Sequence, residues 1–509
     1  MNKKWLRKLF KQRILIGLLI ALQLTFMIYL LLSSGSTSAV IAGVLKFLSL
    51  VVSLYIFSRK DKGAYKLTWV FLILLFPLFG GLFYLMFSFQ STFRASAKRM
   101  DAVSKRTAHY FSLPETQLEE ARARITSASS ALSYMQNFAG FPVYNADTTL
   151  YLSPGEQMLE KLCAELEKAE KYIFLEYFII QEGKMWDTIL EILRRKAAAG
   201  VKVRLIYDDM GCFFLLPKNY PEKLKKYGIE CVVFNPFRPV LSVIQNNRDH
   251  RKIAVIDGKV AFTGGINLAD EYINAIEKHG HWKDSAVMVT GNAAWGLTVI
   301  FLQMWELCSG LSEDYSAYFP GNQLSNNDSG YIIPYSDSPL DTENVGEHVY
   351  LQLINNARKY LYITTPYLII DSSTVSALTL AAKSGVDVRI ITPEIWDKRL
   401  VHMTTRSYYR ELIDSGVKIY EYSGGFIHSK TFVSDDYTAT VGTANLDFRS
   451  LYLQFECGVL MYNTTAVADI KKDFLDTLDK CRQITAEDCK CNLIKRFFQD
   501  VLRLIAPLM

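Results

Sequence analysis

Two stretches of the chain carry residues suited to phosphodiester chemistry. His250-Arg-Lys252-Ile-Ala-Val-Ile-Asp257 is followed by Gly264-Gly265-Ile-Asn267. His428-Ser-Lys430-Thr-Phe-Val-Ser-Asp435 is followed by Gly442-Thr443-Ala-Asn445. His and Asn are 17 residues apart in both copies. One His-x-Lys-x4-Asp arises by chance; two copies with Gly and Asn in register are a strong signal. The stretch after each His is apolar and β-branched and reads as a strand. Residues two apart in a strand share a face. His250 and Lys252 therefore point one way, as do His428 and Lys430. Asp257 and Asp435 fall on the opposite face and read as support for the turn that follows. The turns at Gly264 and Gly442, with Asn267 and Asn445, are expected to bring backbone and amide donors to the same pocket.

Two imidazoles and two ammonium groups facing one pocket suit transfer at phosphorus. One imidazole attacks and forms a phospho-histidine. The other protonates the leaving alkoxide and then deprotonates the acceptor. The lysines and Asn groups stabilise charge on the non-bridging oxygens. These cations take the part a metal plays elsewhere, so neither metal nor cofactor is expected. Each His needs an acceptor on its other ring nitrogen. Asp284, in His281-Trp-Lys-Asp284, and Glu456, in Gln454-Phe-Glu456, stand in equivalent places after each motif and are the candidates. His279 and His281 flank Gly280 and read as part of a loop rather than as a metal pair.

The elements that position these residues are also duplicated. Lys171-Tyr-Ile-Phe-Leu-Glu-Tyr-Phe-Ile-Ile is echoed by Lys359-Tyr-Leu-Tyr-Ile-Thr-Thr-Pro-Tyr-Leu-Ile-Ile, and Gly200-Val-Lys-Val-Arg by Gly385-Val-Asp-Val-Arg. Gly228-Ile and Gly416-Val each open another short strand. The offsets of 188, 185 and 188 residues, and of 178 between the histidines, imply a duplicated α/β domain. The polar, turn-rich Pro320–Gly330 reads as the linker between copies.

The first ninety residues differ. Ile14–Leu32, Ala39–Phe57 and Leu67–Phe89 are apolar runs long enough to span a bilayer as helices, the second containing Lys46 and the third Pro77 and Gly80-Gly81. Lys and Arg crowd Met1–Arg13 and 59–66 but are absent from Ser33–Ser38. The first two runs thus read as a hairpin with cytoplasmic ends, and the basic residues after Phe89 favour a cytoplasmic catalytic part. A chain that is 50% apolar fits membrane residence, and its net charge of +6 does not call for a nucleic-acid partner. Five of the eight cysteines read as buried thiols, while Cys489 and Cys491 read as an exposed pair. Near the end, Ile494, Phe497, Phe498, Val501 and Ile505 recur at helical spacing beside Lys495, Arg496 and Arg503, the pattern of an amphipathic helix.

The paired motifs resemble those of the phospholipase D superfamily, over about residues 140–480. Lys66–Tyr84, Leu175-Glu176-Tyr177, Thr365-Pro366-Tyr367 and the closing Arg503–Met509 are similar to landmarks of its bacterial cardiolipin synthase family. The resemblance implies two tandem α/β domains with mixed sheets sharing one active site. It implies phosphatidylglycerol as donor and acceptor, with cardiolipin and glycerol as products. It assigns the nucleophile to His250 and the acid/base to His428, and includes Asp257 and Asp435 in the catalytic motifs. Phosphatidylglycerol and other anionic membrane lipids are the implied partners. A phospholipase D-type hydrolase, or a phosphatidyltransferase with another acceptor, has the same motifs. The expected organisation is a membrane-anchoring region at 1–90, a basic linker at 91–140, catalytic halves at 141–320 and 331–485, and an amphipathic helix at 486–509, in a multi-pass protein of the cell membrane.

Overall fold

The computed structural model describes residues 25, 36–59, 62–76, 81, 84, 91–111, 115–237, 245–321 and 328–508. The chain divides into two units: Met1–Ala95 with Phe237–Asn246 and Val501–Met509, and Ser96–Pro236 with Asn247–Asp500.

In the first unit, helices α1 (Ser36–Ser58) and α2 (Gly63–Leu75) pack through Ile56, Trp69 and Ile73, joined by Tyr84. Val40, Phe47, Leu54 and Phe57 of α1, and Leu67 and Leu74 of α2, are exposed. Thr68 Oγ1 donates to the Leu504 carbonyl at 2.6 Å, which ties the chain's last turns to α2. Two or three spanning helices were expected from the three apolar runs here, the third run with its Pro77 and Gly80-Gly81 being either a span or a re-entrant turn. The first, Ile14–Leu32, lies outside the described residues except for Thr25. The second is covered by α1. In the third, α2 ends at Leu75 after 13 residues. That is about 20 Å of helix against roughly 30 Å of hydrocarbon. Among the described residues no helix is long and apolar enough to cross a membrane, so the expected transmembrane helices are not found there.

The second unit holds both motif copies. Residues 91–140, read as a linker, are largely helical: α3 (Ser91–Thr107), α4 (Glu115–Arg124) and α5 (Ser129–Asn137). They fold because Met100, Val103, Leu118 and Ala121 recur at helical spacing and are buried. Arg106 also pairs with buried Glu306 at 2.5 Å.

The first half contains β1 (Thr149–Leu152), α6 (Gly155–Leu166), β2 (Tyr172–Tyr177), α7 (Lys184–Ala198), β3 (Lys202–Asp208), β4 (Ile229–Phe234), β5 (Lys252–Ile256), β6 (Val260–Gly264), β7 (Ala286–Thr290) and α8 (Asn292–Ser309). Its sheet runs β1-β7-β6-β5-β2-β3-β4, with β2, β3 and β4 parallel. The second half contains β8 (Tyr331–Asp337), α9 (Val345–Asn356), β9 (Tyr360–Thr364), α10 (Ser372–Lys383), β10 (Asp387–Pro393), α11 (Arg399–Ile413), β11 (Lys418–Tyr422), β12 (Thr431–Ser434), β13 (Thr438–Gly442), β14 (Gln454–Tyr462), α12 (Thr465–Leu478) and β15 (Cys481–Ile484). Its sheet runs β8-β14-β13-β12-β9-β10-β11-β15. The common core reads β7-β6-β5-β2-β3-β4 in one half and β14-β13-β12-β9-β10-β11 in the other, so the sequence repeat is a repeat of topology. Strand β2 is buried along its whole length, as parallel strands in the middle of a covered sheet are. Helix α8 is buried almost throughout and packs on both β6 and β8. The structure thus has two mixed α/β halves. The last helix, α13 (Leu493–Ile505), leaves Leu493, Ile494, Phe497 and Phe498 exposed.

Candidate active site

Each histidine sits at the seam between the halves, held by a short strand pairing that crosses it. Arg248–Asp249 runs beside the start of β14, and the His250 amide donates to the Phe455 carbonyl at 2.9 Å. Gly425–Ile427 runs beside His281–Lys283, and the His428 amide donates to the Lys283 carbonyl at 2.7 Å. In both cases the accepting carbonyl belongs to the residue before the candidate carboxylate. Side chains follow the same crossing. His250 Nδ1 meets both carboxylate oxygens of Glu456 at 3.0 Å, and His428 Nδ1 meets Asp284 Oδ2 at 2.7 Å. Each histidine is therefore oriented by the carboxylate of the other half.

Both imidazoles and both lysines are buried. Burial, with the charge of Lys252, lowers His250 to about 4, against the pull of Glu456. Burial and Lys430 do the same to His428. Burial likewise lowers Lys252 to about 8 and Lys430 to about 7. Burial opposes ionisation of Asp284 and Glu456, yet the neighbouring Lys and His groups hold both below the usual carboxylate range. The result is two neutral imidazoles whose Nδ1–H is directed at an ionised carboxylate, with Nε2 turned away from it. Lys252 and Lys430 reach back to the carbonyls of His250 and His428. Phe178 faces His250 with ring centroids 5.1 Å apart, and Tyr272 and Trp282 face His428 at 5.7 and 5.4 Å.

The remaining sequence candidates take several positions. Asp257 accepts from the amides of Glu170, Lys171 and Tyr172 at 2.7–2.8 Å, and Asp435 from those of Arg358, Lys359 and Tyr360 at 2.7–2.9 Å. Each thereby ties the end of a motif strand to the start of β2 or β9. Asn267 departs from the expectation of a donor in the pocket. Its oxygen accepts from the Ile179 amide at 2.9 Å and its nitrogen donates to Tyr272 Oη at 2.7 Å, so the amide is used in framing the site. Asn445 donates to Asp447 at 3.1 Å. A Cβ on Gly264 would stand 2.5 Å from Ala286 Cα, and one on Gly442 2.8 Å from the Cys457 carbonyl oxygen. These glycines let β7 and β14 approach closely enough to present their carboxylates. His281 opens the short strand His281–Lys283, which directly precedes Asp284, rather than lying in a loop. Of the eight thiols only Cys212 and Cys457 are fully buried, and Cys489 and Cys491 are part-buried.

The family model described as "Cardiolipin synthase, PLD-like domain" matches residues 162–305 and 350–478, which include both motifs. The chain belongs to the cardiolipin synthase family. A second model, "Phospholipase_D-nuclease N-terminal", matches residues 47–88. A cardiolipin synthase of a Geobacillus species is 34% identical over 93% of this chain and 94% of its own. Cardiolipin synthase 2 of Bacillus cereus is 34% identical over 90% of each. An uncharacterized protein of Streptococcus mutans is 44% identical over 90% of this chain and 99% of its own. The crystal structure of phosphatidylserine synthase from Haemophilus influenzae aligns with a TM-score of 0.57 at 17% identity, covering 75% of this chain and 98% of that one, and shares the fold.

Within this cardiolipin synthase family site, sequence reasoning missed several supports. Thr443 Oγ1 donates to Glu456 Oε2 at the position equivalent to Gly265. At Gly265 a Cβ would stand 2.1 Å from Asp284 Oδ1. The longer Glu456 thus receives a hydroxyl where the shorter Asp284 needs an empty place. Comparing Gly264-Gly265 with Gly442-Thr443 gave the signal for this difference. Arg251 bridges Glu176 at 2.7 Å and Asp249 at 3.2 Å, all fully buried. Asp208 accepts from the Asp249 amide at 3.0 Å. These groups anchor the strand that delivers His250, and no spacing in the sequence marks them.

Proposed function

We propose that the chain is a phosphatidyltransferase that makes cardiolipin from two molecules of phosphatidylglycerol. The crossed pairing of His250 with Glu456 and His428 with Asp284, in a cardiolipin synthase family chain, carries this reading. His250 takes the nucleophile's role that the superfamily resemblance implies. Its Nε2 attacks the phosphorus of one phosphatidylglycerol, and the N–P bond forms as the P–O bond to glycerol breaks. His428, having taken up a proton on Nε2 when the anionic lipid phosphodiester bound, gives that proton to the departing glycerol oxygen. It then takes a proton from a hydroxyl of a second phosphatidylglycerol, whose oxygen displaces His250 and yields cardiolipin. The lipid phosphodiester supplies negative charge that offsets the two lysines, so it raises the proton affinity of His428 when substrate binds. Lys252 and Lys430 stabilise the charge that builds on the non-bridging oxygens. Asp257 and Asp435 act through the turns that set the motif strands.

The first unit is the proposed membrane anchor, in a multi-pass arrangement with the catalytic unit on the cytoplasmic side. Exposed Val40, Phe47, Leu54 and Phe57 on α1 support lipid contact, since large apolar patches are rare on soluble monomers. The distribution of Lys and Arg supports the cytoplasmic side. The test is product identity. Purified protein in detergent, given phosphatidylglycerol alone, should release cardiolipin and glycerol in equal amounts. Phosphatidic acid as the only lipid product would identify a hydrolase instead.

A further inference from the structure

Each half extends a loop from the C-terminal end of its second parallel strand, and both loops end beside the shared pocket. The first follows β3. Gly211 lies so close to Phe178 that a Cβ would stand 2.0 Å from its carbonyl oxygen, and Cys212 Sγ lies 3.6 Å from that oxygen. Phe178 is the ring that faces His250. The second loop follows β10. Asp397 accepts from Tyr367 Oη at 2.5 Å, and Lys398 Nζ lies 5.4 Å from the centre of the Tyr367 ring. Tyr367 packs on the cluster that contains Tyr272 and Trp282, the rings that face His428.

These loops turn apolar side chains outward. Met210 and Phe214 on the first are 40% and 75% exposed, Ile395 and Trp396 on the second are 39% and 48% exposed, and Leu400, in the first turn of α11 that the second loop leads into, is 57% exposed. Lone exposed apolar residues are ordinary. Here they occupy equivalent loops of both repeats, the first touching the backbone of Phe178, whose ring faces His250, and the second touching Tyr367, which packs on the cluster whose rings face His428. Exposed Lys218, Lys398 and Arg399 stand beside them. Apolar side chains flanked by cations match the boundary between the acyl chains and headgroups of an anionic bilayer.

We propose that the loops bearing Met210 and Phe214, and Ile395 and Trp396 with Leu400 after them, form a rim that enters an anionic bilayer and brings a lipid phosphodiester to His250 and His428 while its acyl chains stay in lipid. This rests on the phosphatidyl-transfer reading above. It places membrane engagement in the catalytic unit itself, separate from the N-terminal helices.

The test compares full-length wild type, W396S/L400S, F214S and a control, F138S, whose exposed ring is on α5's following turn. Each is assayed on phosphatidylglycerol in phosphatidylcholine vesicles and on monomeric dihexanoyl phosphatidylglycerol, with thermal unfolding checked. The ratio of vesicle to monomer activity should fall about tenfold for the rim variants and stay at the wild-type value for F138S. Acyl-brominated phosphatidylcholine should quench the fluorescence that wild type has in excess of W396F. Equal loss on both substrates, no loss on either, or no quenching of the Trp396 emission would overturn the rim. If wild type transfers from neither form of phosphatidylglycerol, the transfer reading fails, and quenching alone decides the rim.

Discussion

At the residue scale, the site depends on burying four basic groups with two carboxylates. Because burial holds His250 and His428 at about 4, both are neutral in the free protein at neutral pH. Lys430 at about 7 and Lys252 at about 8 lose their charge as pH rises through those values. kcat/KM should therefore rise as pH climbs past the histidine range and fall from about pH 7 upward. A bound phosphodiester favours charged lysines, so the alkaline limb of kcat should lie at higher pH than that of kcat/KM. Coincident alkaline limbs would contradict the assignment of that limb to the lysines. Glu456→Gln and Asp284→Asn keep the shape of each acceptor and remove its charge. Each should lower kcat at least about a hundredfold with little change in the unfolding midpoint, since orienting carboxylates of this kind act on tautomer and charge.

Among the elements, the motif strands and the two candidate carboxylates were legible in the sequence, but which carboxylate serves which histidine was not. His and Lys two apart, the β-branched run and the glycines marked β5 and β12, because strand geometry is local. The pairing of Glu456 with His250 depends on how the halves dock, which leaves no periodic trace. The contacts of Asn267 were not legible for a related reason: its amide meets Ile179 and Tyr272, in ways a motif does not encode. The glycine turn gives a direct test. Gly265→Ala places a methyl on Asp284, and overpacking of this kind costs about 1–3 kcal/mol. Its transfer activity should drop more than that of Gly385→Ala, where φ is +94° but no atom lies within 4 Å of the added Cβ. Asp257→Ala removes an acceptor from three amides in a buried turn. It should lower stability by about 2–4 kcal/mol in urea unfolding, and more than Asp435→Ala at its more exposed turn.

For the whole molecule, the repeat in sequence became two sheets with the same core strand order, whose motif histidines each pair with a carboxylate of the other half. The unequal pair Asp284 and Glu456 shows that the copies have diverged where each serves the other. The N-terminal runs were read as spans from composition alone, but the described helices there are shorter or less apolar than a span requires. Because both motifs and both carboxylates come from one chain, mixing His250→Ala with His428→Ala protein should restore no activity. Recovery towards about a quarter of the wild-type rate, as random pairing of the two variants gives, would mean that sites form between chains.

The central claim is a covalent phosphatidyl group on His250, released with help from His428. A phosphatidyl p-nitrophenyl ester tests it most directly, since its leaving group needs no proton. His428→Ala should release one nitrophenolate per chain in a burst and then stall. Peptide mass spectrometry should find the phosphatidyl group on His250. Steady release without a burst, or a label on any other residue, would contradict the account.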